Sequence, residues 1–574
     1  MDTKIIEKAK QWLEGNYDQE TKKEVQRMLD SDKEMLTESF YKDLSFGTGG
    51  LRGIMGVGTN RINKYTIGAA TQGLSNYIKK ACPNEKQIRV VIAHDCRNNS
   101  DYFAQITADV FSANGFKVYL FEHLKPTPEL SFALRHFRCH SGVVITASHN
   151  PKEYNGYKAY WNDGAQVVPP HDKGIIEEVN RIKNVDEIQF SAVKENIEIL
   201  SDDFDQIYIE QLKKLSVSPE IIAQHADFKI VYTPIHGTGV KLVPETLKSF
   251  GFKNVYNVPE QDLVDGNFPT VISPNPENAE ALRLALQKAE EIGAELVLAT
   301  DPDSDRVGIA VKDTNNKFIL LNGNQTAALL IDYLIKSRVK KQQMKGNEYI
   351  VKTIVTTDLL TDIADKYNVE HFDTLTGFKY IAEIIRNNEG KKQFIGGGEE
   401  SYGYLAGECV RDKDAVMSAA LIAEAAVHAK SEGKTPYEHL IDIYVEFGLY
   451  KEVLVNVVKK GKQGAEQIQA MMENFRKNPP QRLAQEKIVK IKDYATSKTL
   501  DTITGKETPL DFPQSNVLQF FTDKGSKISV RPSGTEPKIK FYIAVKEDLC
   551  CKEKFSETEA ICAQRIEALK EALF

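Results

Sequence analysis

Short runs of aliphatic and β-branched residues stop abruptly in polar or glycine-rich loops along this chain, and helical patterns lie between them. "IRVVIAHD" (88–95), "KVYLFE" (117–122) and "SGVVITAS" (141–148) are followed or separated in this way. The plan returns in "FKIVYTPIHGTG" (228–239), in "AELVLATDPDSDR" (294–306) after a helix predicted over 278–293, and in "KQFIGGGEESYGY" (392–404). This is α/β grammar and predicts largely parallel sheets. In such sheets ligands bind beyond the C-terminal ends of the strands, so the loops that end these runs are where chemistry is expected.

A chain of 574 residues is too long for one core. The expected division is a helical extension over 1–40, α/β domains over 41–210, 211–325 and 326–445, and a smaller α+β domain over 446–574. In the last part "LYKEVLVNVV" is strand-like, and two further strands flank "RPSGTEPKIK" (531–540). The net charge of −7 excludes a globally basic nucleic-acid binder. No apolar run reaches the roughly 18 residues of a membrane span; the nearest, Ala415 to Ala429, is broken by Ser418, Glu424 and His428. The N-terminus lacks a secretory pattern, and none of the seven cysteines forms C-x-x-C, so a reducing, cytoplasmic setting is expected.

Asp301, Asp303 and Asp305 alternate, and an extended backbone sends their carboxylates to one side. Oxygen ligands of this kind suit Mg²⁺. An EF-hand fails because Arg306 stands where that loop needs glycine, and Lys312 where it needs glutamate. "RPSGTEPKIK" offers Arg531, Lys540, Ser533, Thr535 and a glycine, the donors an exposed phosphate needs. "IGGGEESYGY" places Glu399 and Ser401 beyond three glycines, suited to sugar hydroxyls. "FGTGGLRGIMG" (46–56) fits neither a Rossmann nor a Walker A loop; it reads as a phosphate-facing loop around Arg52 or as a linker. In "VVITASHNP" (143–151) no Gly-x-Ser-x-Gly surrounds Ser148. The side chains of Ser148 and His149, being adjacent, are expected to diverge, so activation of the serine is sought at the aspartate loop.

Taken together, "TASHNP", "DPDSDR", "GGGEESYG" and "RPSGTEPKIK", with "FGTGGLRG" and "LTGFKY" (375–380), resemble the α-D-phosphohexomutase superfamily, in order and over nearly the whole chain. Length and the "EPKIK" ending resemble its longer branch, with phosphoglucomutases and phosphopentomutases. The resemblance implies three similar α/β domains and a C-terminal α+β domain around a central cleft. It implies a phosphorylated Ser148 and one Mg²⁺ per chain, held by Asp301, Asp303, Asp305 and a phosphoserine oxygen. Arg52, Lys158, Lys379 and His149 would serve the reacting centre. Arg306, Thr376, Gly377, Glu399, Ser401, Arg531, Ser533, Gly534, Thr535 and Lys540 would bind substrate. The implied activity interconverts glucose 1-phosphate and glucose 6-phosphate through a bisphosphorylated sugar such as glucose 1,6-bisphosphate, which is also the activator. A pentose or mannose phosphate is the alternative substrate, and a Mg²⁺-dependent sugar phosphatase or a non-catalytic sensor the alternative class. The partner is a small sugar phosphate, with no nucleic acid or membrane, in a monomer or weak homodimer. Some relatives carry a histidine two residues after the sugar-loop serine. Gly403 stands there, which shifts the expected proton transfer toward Lys158 or Lys379.

Overall fold

A computed structural model describes residues 3–47, 49–459, 461–533 and 538–574. Three helices, Thr3–Glu14, Gln19–Ser31 and Lys33–Phe40, open the chain. Their apolar faces meet around Trp12, Val25 and Phe40 and close on Tyr65 of the first α/β unit. Asp18 and Asp32 cap the second and third helices by accepting backbone N–H bonds.

Four sheets follow. The first runs Gly50–Ile54, Tyr154–Trp161, Ser141–Ile145, Arg89–His94, Lys117–Phe121, Ile197–Leu200. Its last four strands are mutually parallel and its first two are antiparallel additions. The second runs Phe318–Leu321, Val307–Lys312, Leu296–Thr300, Lys229–Thr233, Asn254–Asn257, and its last three strands are parallel. The third runs Glu370–Thr374, Glu348–Thr353, Gln393–Glu399, Gly403–Ala406, with only the final pair antiparallel. The fourth is antiparallel throughout, with Leu449–Val458, Lys538–Glu547 and Lys527–Pro532 side by side at one edge. The α/β class and the contrasting C-terminal sheet agree with the sequence expectation.

Two expectations change. The helix predicted over 278–293 is confined to Arg283–Ile292. Asn275 begins a turn instead, accepting the Glu277 N–H on its side chain and the Asn278 N–H on its carbonyl. "GLRGI" is also no loop or linker. Gly50–Ile54 is an edge strand whose glycine at φ 132° lies against Tyr157, where a Cβ would fall 1.6 Å from the Tyr157 carbonyl oxygen.

One core joins the units. Helix Ala415–Ser431 is apolar on nearly every face and buried almost throughout. It packs on helix Gly239–Phe250 and on strands Leu296–Thr300 and Val307–Lys312, as well as on its own unit. The strand ends of the first three sheets thereby face a common cleft.

Candidate active site

The strand Ser141–Ile145 is wholly buried and delivers Thr146–Pro151 to the cleft. Thr146 Oγ1 accepts the Ser148 N–H at 2.8 Å and donates to Asp95 Oδ2 at 2.6 Å. Ser148 is 3% exposed and adopts φ 51°, a left-handed conformation that a serine holds only where its surroundings impose it. Its Oγ donates to Asp301 Oδ2 at 2.7 Å. His149 Nδ1 lies 3.1 Å from the same Oγ. The expected divergence of these neighbours is therefore corrected: the left-handed turn at Ser148 brings them together. Burial, then the charges of Arg306 and Arg52, push the imidazole well below its ordinary range, so it is neutral.

The aspartates do not sit on an extended segment. The loop after Leu296–Thr300 is a tight turn with Ser304 at φ 51°, and the turn itself converges the three carboxylates. One oxygen from each lies within 4.8 Å of the others, and all three residues are at most 2% exposed. Asp301 Oδ1 accepts the N–H groups of Asp305 and Arg306 at 3.1 and 3.0 Å. Asp303 Oδ2 accepts from Thr127 Oγ1 at 2.9 Å and from Lys158 Nζ at 2.7 Å. Lys158 also reaches Asp305 Oδ2 at 3.0 Å, and Lys413 Nζ lies 3.3 Å from that oxygen. Asp303 Oδ1 and Asp305 Oδ1 are buried without a hydrogen-bond donor. Burial, then repulsion from Asp303 and Asp305, pushes Asp301 well above the carboxylate range. Asp305 moves the other way, because Lys158, Lys413 and Arg306 outweigh its burial. Converging, undersatisfied oxygen ligands fit a hard divalent cation, and Mg²⁺ is the natural candidate.

The cleft has a volume of about 1110 Å³. It is lined by Arg52, Ser148, His149, Lys158, Asp305, Arg306, Thr376, Gly377, Glu399, Ser401, Arg531, Ser533 and Lys540 among the expected residues. Asp301 and Asp303 lie directly behind that wall. Arg52 Nη1 donates to Asn150 Oδ1 at 3.1 Å, which places the cation over the serine loop. The three glycines of "GGGEE" belong to strand Gln393–Glu399, not to a turn; a Cβ on Gly397 would meet the Val351 carbonyl oxygen at 2.0 Å. They let the strand lie close, and the hairpin turn then presents Glu399 and Ser401. Glu399 Oε1 accepts the Gly377 N–H at 2.9 Å, tying the sugar loop to "LTGFKY". Arg531 and Lys540 are directly opposed on adjacent strands, so both cations share one sheet face. Gly534 and Thr535 lie outside the described residues.

At Lys158 burial favours the neutral form, but Asp303 and Asp305 outweigh it and raise the pKa. Burial lowers Lys379, partly offset by Asp172 and Glu383; this residue is not among those lining the cleft. Several participants were missed by sequence reasoning. Lys413 lines the cleft beside Asp305 and packs where a side chain at 403 would go: a Cβ there would lie 2.1 Å from Lys413 Cδ. Glycine at 403 thus makes room for a cation from "RDKD". Thr127, at the start of helix Thr127–His136, buttresses Asp303, and Arg97 braces the serine loop. Arg97 follows the apolar run 88–95, so its place beyond a strand end was the available signal.

Family models for phosphoglucomutase/phosphomannomutase α/β/α domains I, II and III match residues 43–186, 206–315 and 322–447. A phosphoglucomutase of Staphylococcus haemolyticus is 38% identical over 512 residues, covering 89% of this chain and 92% of that protein. The fold is similar to that of Paramecium parafusin, a phosphoglucomutase solved in an open form, with TM-score 0.67, 18% identity, and coverage of 93% of this chain and 95% of that one. It is also similar to a phosphomannomutase structure from Thermus thermophilus, with TM-score 0.66, 21% identity, and coverage of 92% and 99%. This chain belongs to the phosphoglucomutase/phosphomannomutase family.

Proposed function

We propose that this protein is a cytoplasmic phosphoglucomutase that interconverts glucose 1-phosphate and glucose 6-phosphate, with Ser148 as the phosphoryl carrier. The observation that carries this reading is the placement of the Ser148 hydroxyl, 2.7 Å from Asp301, in the same cleft as Arg531 and Lys540. The name borne by its Staphylococcus relatives supports the choice of hexose.

In the resting enzyme the phosphoryl group is on Ser148 Oγ. Substrate docks its own phosphate against Arg531, Lys540 and the Ser533 loop, and its hydroxyls against Glu399 and Ser401. Its free hydroxyl then faces phosphoserine. A bond from that hydroxyl oxygen to phosphorus forms while the Oγ–phosphorus bond breaks, giving glucose 1,6-bisphosphate. This species turns around and returns its other phosphoryl group to Ser148. Such transfer depends on positioning and charge more than on covalent chemistry. Lys413 and Arg52 meet the equatorial charge, Lys158 or Lys379 takes the proton that the attacking hydroxyl loses, and His149, beside Oγ, is placed to return one to Oγ as its bond to phosphorus breaks. Asp301, Asp303 and Asp305 would hold Mg²⁺, which would supply further charge neutralisation at the transferring phosphoryl group. A panel of glucose, mannose and ribose 1-phosphates, with and without glucose 1,6-bisphosphate, tests the reading. Glucose 1-phosphate is to be isomerised fastest and to be stimulated by the bisphosphate. Faster turnover of ribose 1-phosphate, or release of free phosphate without isomerisation, contradicts it.

A further inference from the structure

Arg97 grips the serine loop from below. Its guanidinium is fully buried, and Nη1 donates to the carbonyl oxygens of Pro151 and Tyr154 at 2.9 and 3.0 Å. Nη2 donates to the carbonyl oxygen of Ser148 at 2.5 Å and to that of Asn150. One planar cation therefore fixes four carbonyls around the left-handed turn at Ser148, a task for which a lysine lacks the donors. Arg97 is in turn covered from the second unit. The turn at Asp265–Phe268 reaches the first unit so closely that a Cβ on Gly266 would lie 2.4 Å from the Asn98 nitrogen. Asn98 Nδ2 donates to Asn267 Oδ1 at 3.1 Å. Phe268, at φ 49° and 2% exposed, lays its ring 5.2 Å from the Arg97 guanidinium carbon. A phenylalanine in that conformation is held there by its packing. Further along the same segment, Glu277 accepts from Arg306 Nη1 at 2.8 Å beside the aspartate loop.

We propose that Phe268 is a positioning residue for the phosphoryl-carrying serine. Its ring confines the Arg97 guanidinium, and Arg97 confines the backbone that aims Ser148 Oγ at Asp301. A loop of the metal-binding unit thus sets the geometry of the nucleophile in its neighbour. The inference rests on Ser148 being the phosphoryl carrier.

The test is a double-mutant cycle on the full chain with Phe268→Leu and Arg97→Lys, and with Ser148→Ala as control. Phe268→Leu keeps apolar volume but loses the ring face over the cation. It is expected to lower kcat by about tenfold, within the loss that slight misplacement of reacting groups causes, with KM for glucose 1-phosphate changed by less than about twofold. Phe268→Tyr, which keeps the ring, is to restore kcat. The double variant is to be no slower than Arg97→Lys alone. Wild-type kcat in Phe268→Leu, or additive losses in the cycle, overturns the inference. Should Phe268→Leu fail to fold, Asn98→Ala, which removes only a solvent-exposed bond to the same turn, is to lower kcat in the same direction; an unchanged kcat there overturns the inference equally. Turnover surviving in Ser148→Ala sinks the reading of Ser148 itself. A dead Ser148→Ala beside a wild-type Phe268→Leu sinks only the role of Phe268.

Discussion

Ser148 shows how much one backbone angle decides. At φ 51° the hydroxyl meets Asp301 and His149 together, whereas adjacent side chains in an extended segment point apart. The residue types of the site were legible, because carboxylates, a serine and paired cations are chemically distinctive even in isolation. Their local geometry was not. Ser304, at φ 51°, turns the aspartate loop, and neither serine announces that conformation as a glycine does. The upward pKa shift of Lys158 was equally hidden, since it depends on Asp303 and Asp305 more than 140 positions away. Asp303→Asn is expected to leave the fold in place but weaken Mg²⁺ dependence by about 10–100-fold or more, read as the shift in Mg²⁺ concentration for half-maximal turnover. An unchanged Mg²⁺ profile excludes Asp303 as a ligand.

The strands and their polar ends were the most legible elements, since a buried apolar run ending in polar loop residues leaves few structural choices. Boundaries set by side-chain turns, such as Asn275 ahead of Arg283–Ile292, escaped a reading based on periodicity. So did partners supplied by other elements, such as Lys413 and Thr127, whose roles exist only once distant segments meet. Helix Asp203–Lys213 offers a test of how elements are joined. Asp202, just before it, accepts from Lys125 and Lys241 Nζ, each at 2.8 Å. Burial favours its protonated form, but the two lysines outweigh it and bring the pKa down to about 2 from 3.8. With the folded value below the unfolded one, its stabilisation is complete above 3.8 and fades as pH falls through about 2. Asp202→Asn should therefore cost about 0.5–1 kcal/mol at neutral pH, after allowance for solvent screening. In thermal melts, the gap from the parent protein should close in the acid range. A gap independent of pH would show that the carboxylate charge is not the cause.

At the scale of the molecule, four sheets surround one polar cleft, and the fourth contributes a whole face to it. Lys527, Ser529 and Arg531 on one strand stand opposite Ala544, Tyr542 and Lys540 on the next. That face is anchored to the third unit by Lys527 Nζ, which donates to Asp358 Oδ1 at 2.7 Å. Among the described residues no helix is long and apolar enough to cross a membrane. Lys527→Met, which removes this link between the third and fourth units, is expected to shift kcat and KM together by a few-fold without removing a phosphoryl group from Ser148. Loss of the phosphoserine instead would place Lys527 in the chemistry. The most direct test of the whole account is the mass of the Ser148 peptide. After incubation with glucose 1,6-bisphosphate and removal of small molecules, the parent protein should carry one phosphoryl group on the peptide containing Ser148. That group should leave on addition of glucose 1-phosphate or glucose 6-phosphate, and Ser148→Ala should carry none and turn over at least about 10³-fold more slowly. A phosphoryl group on another residue, or full turnover in Ser148→Ala, would contradict the account.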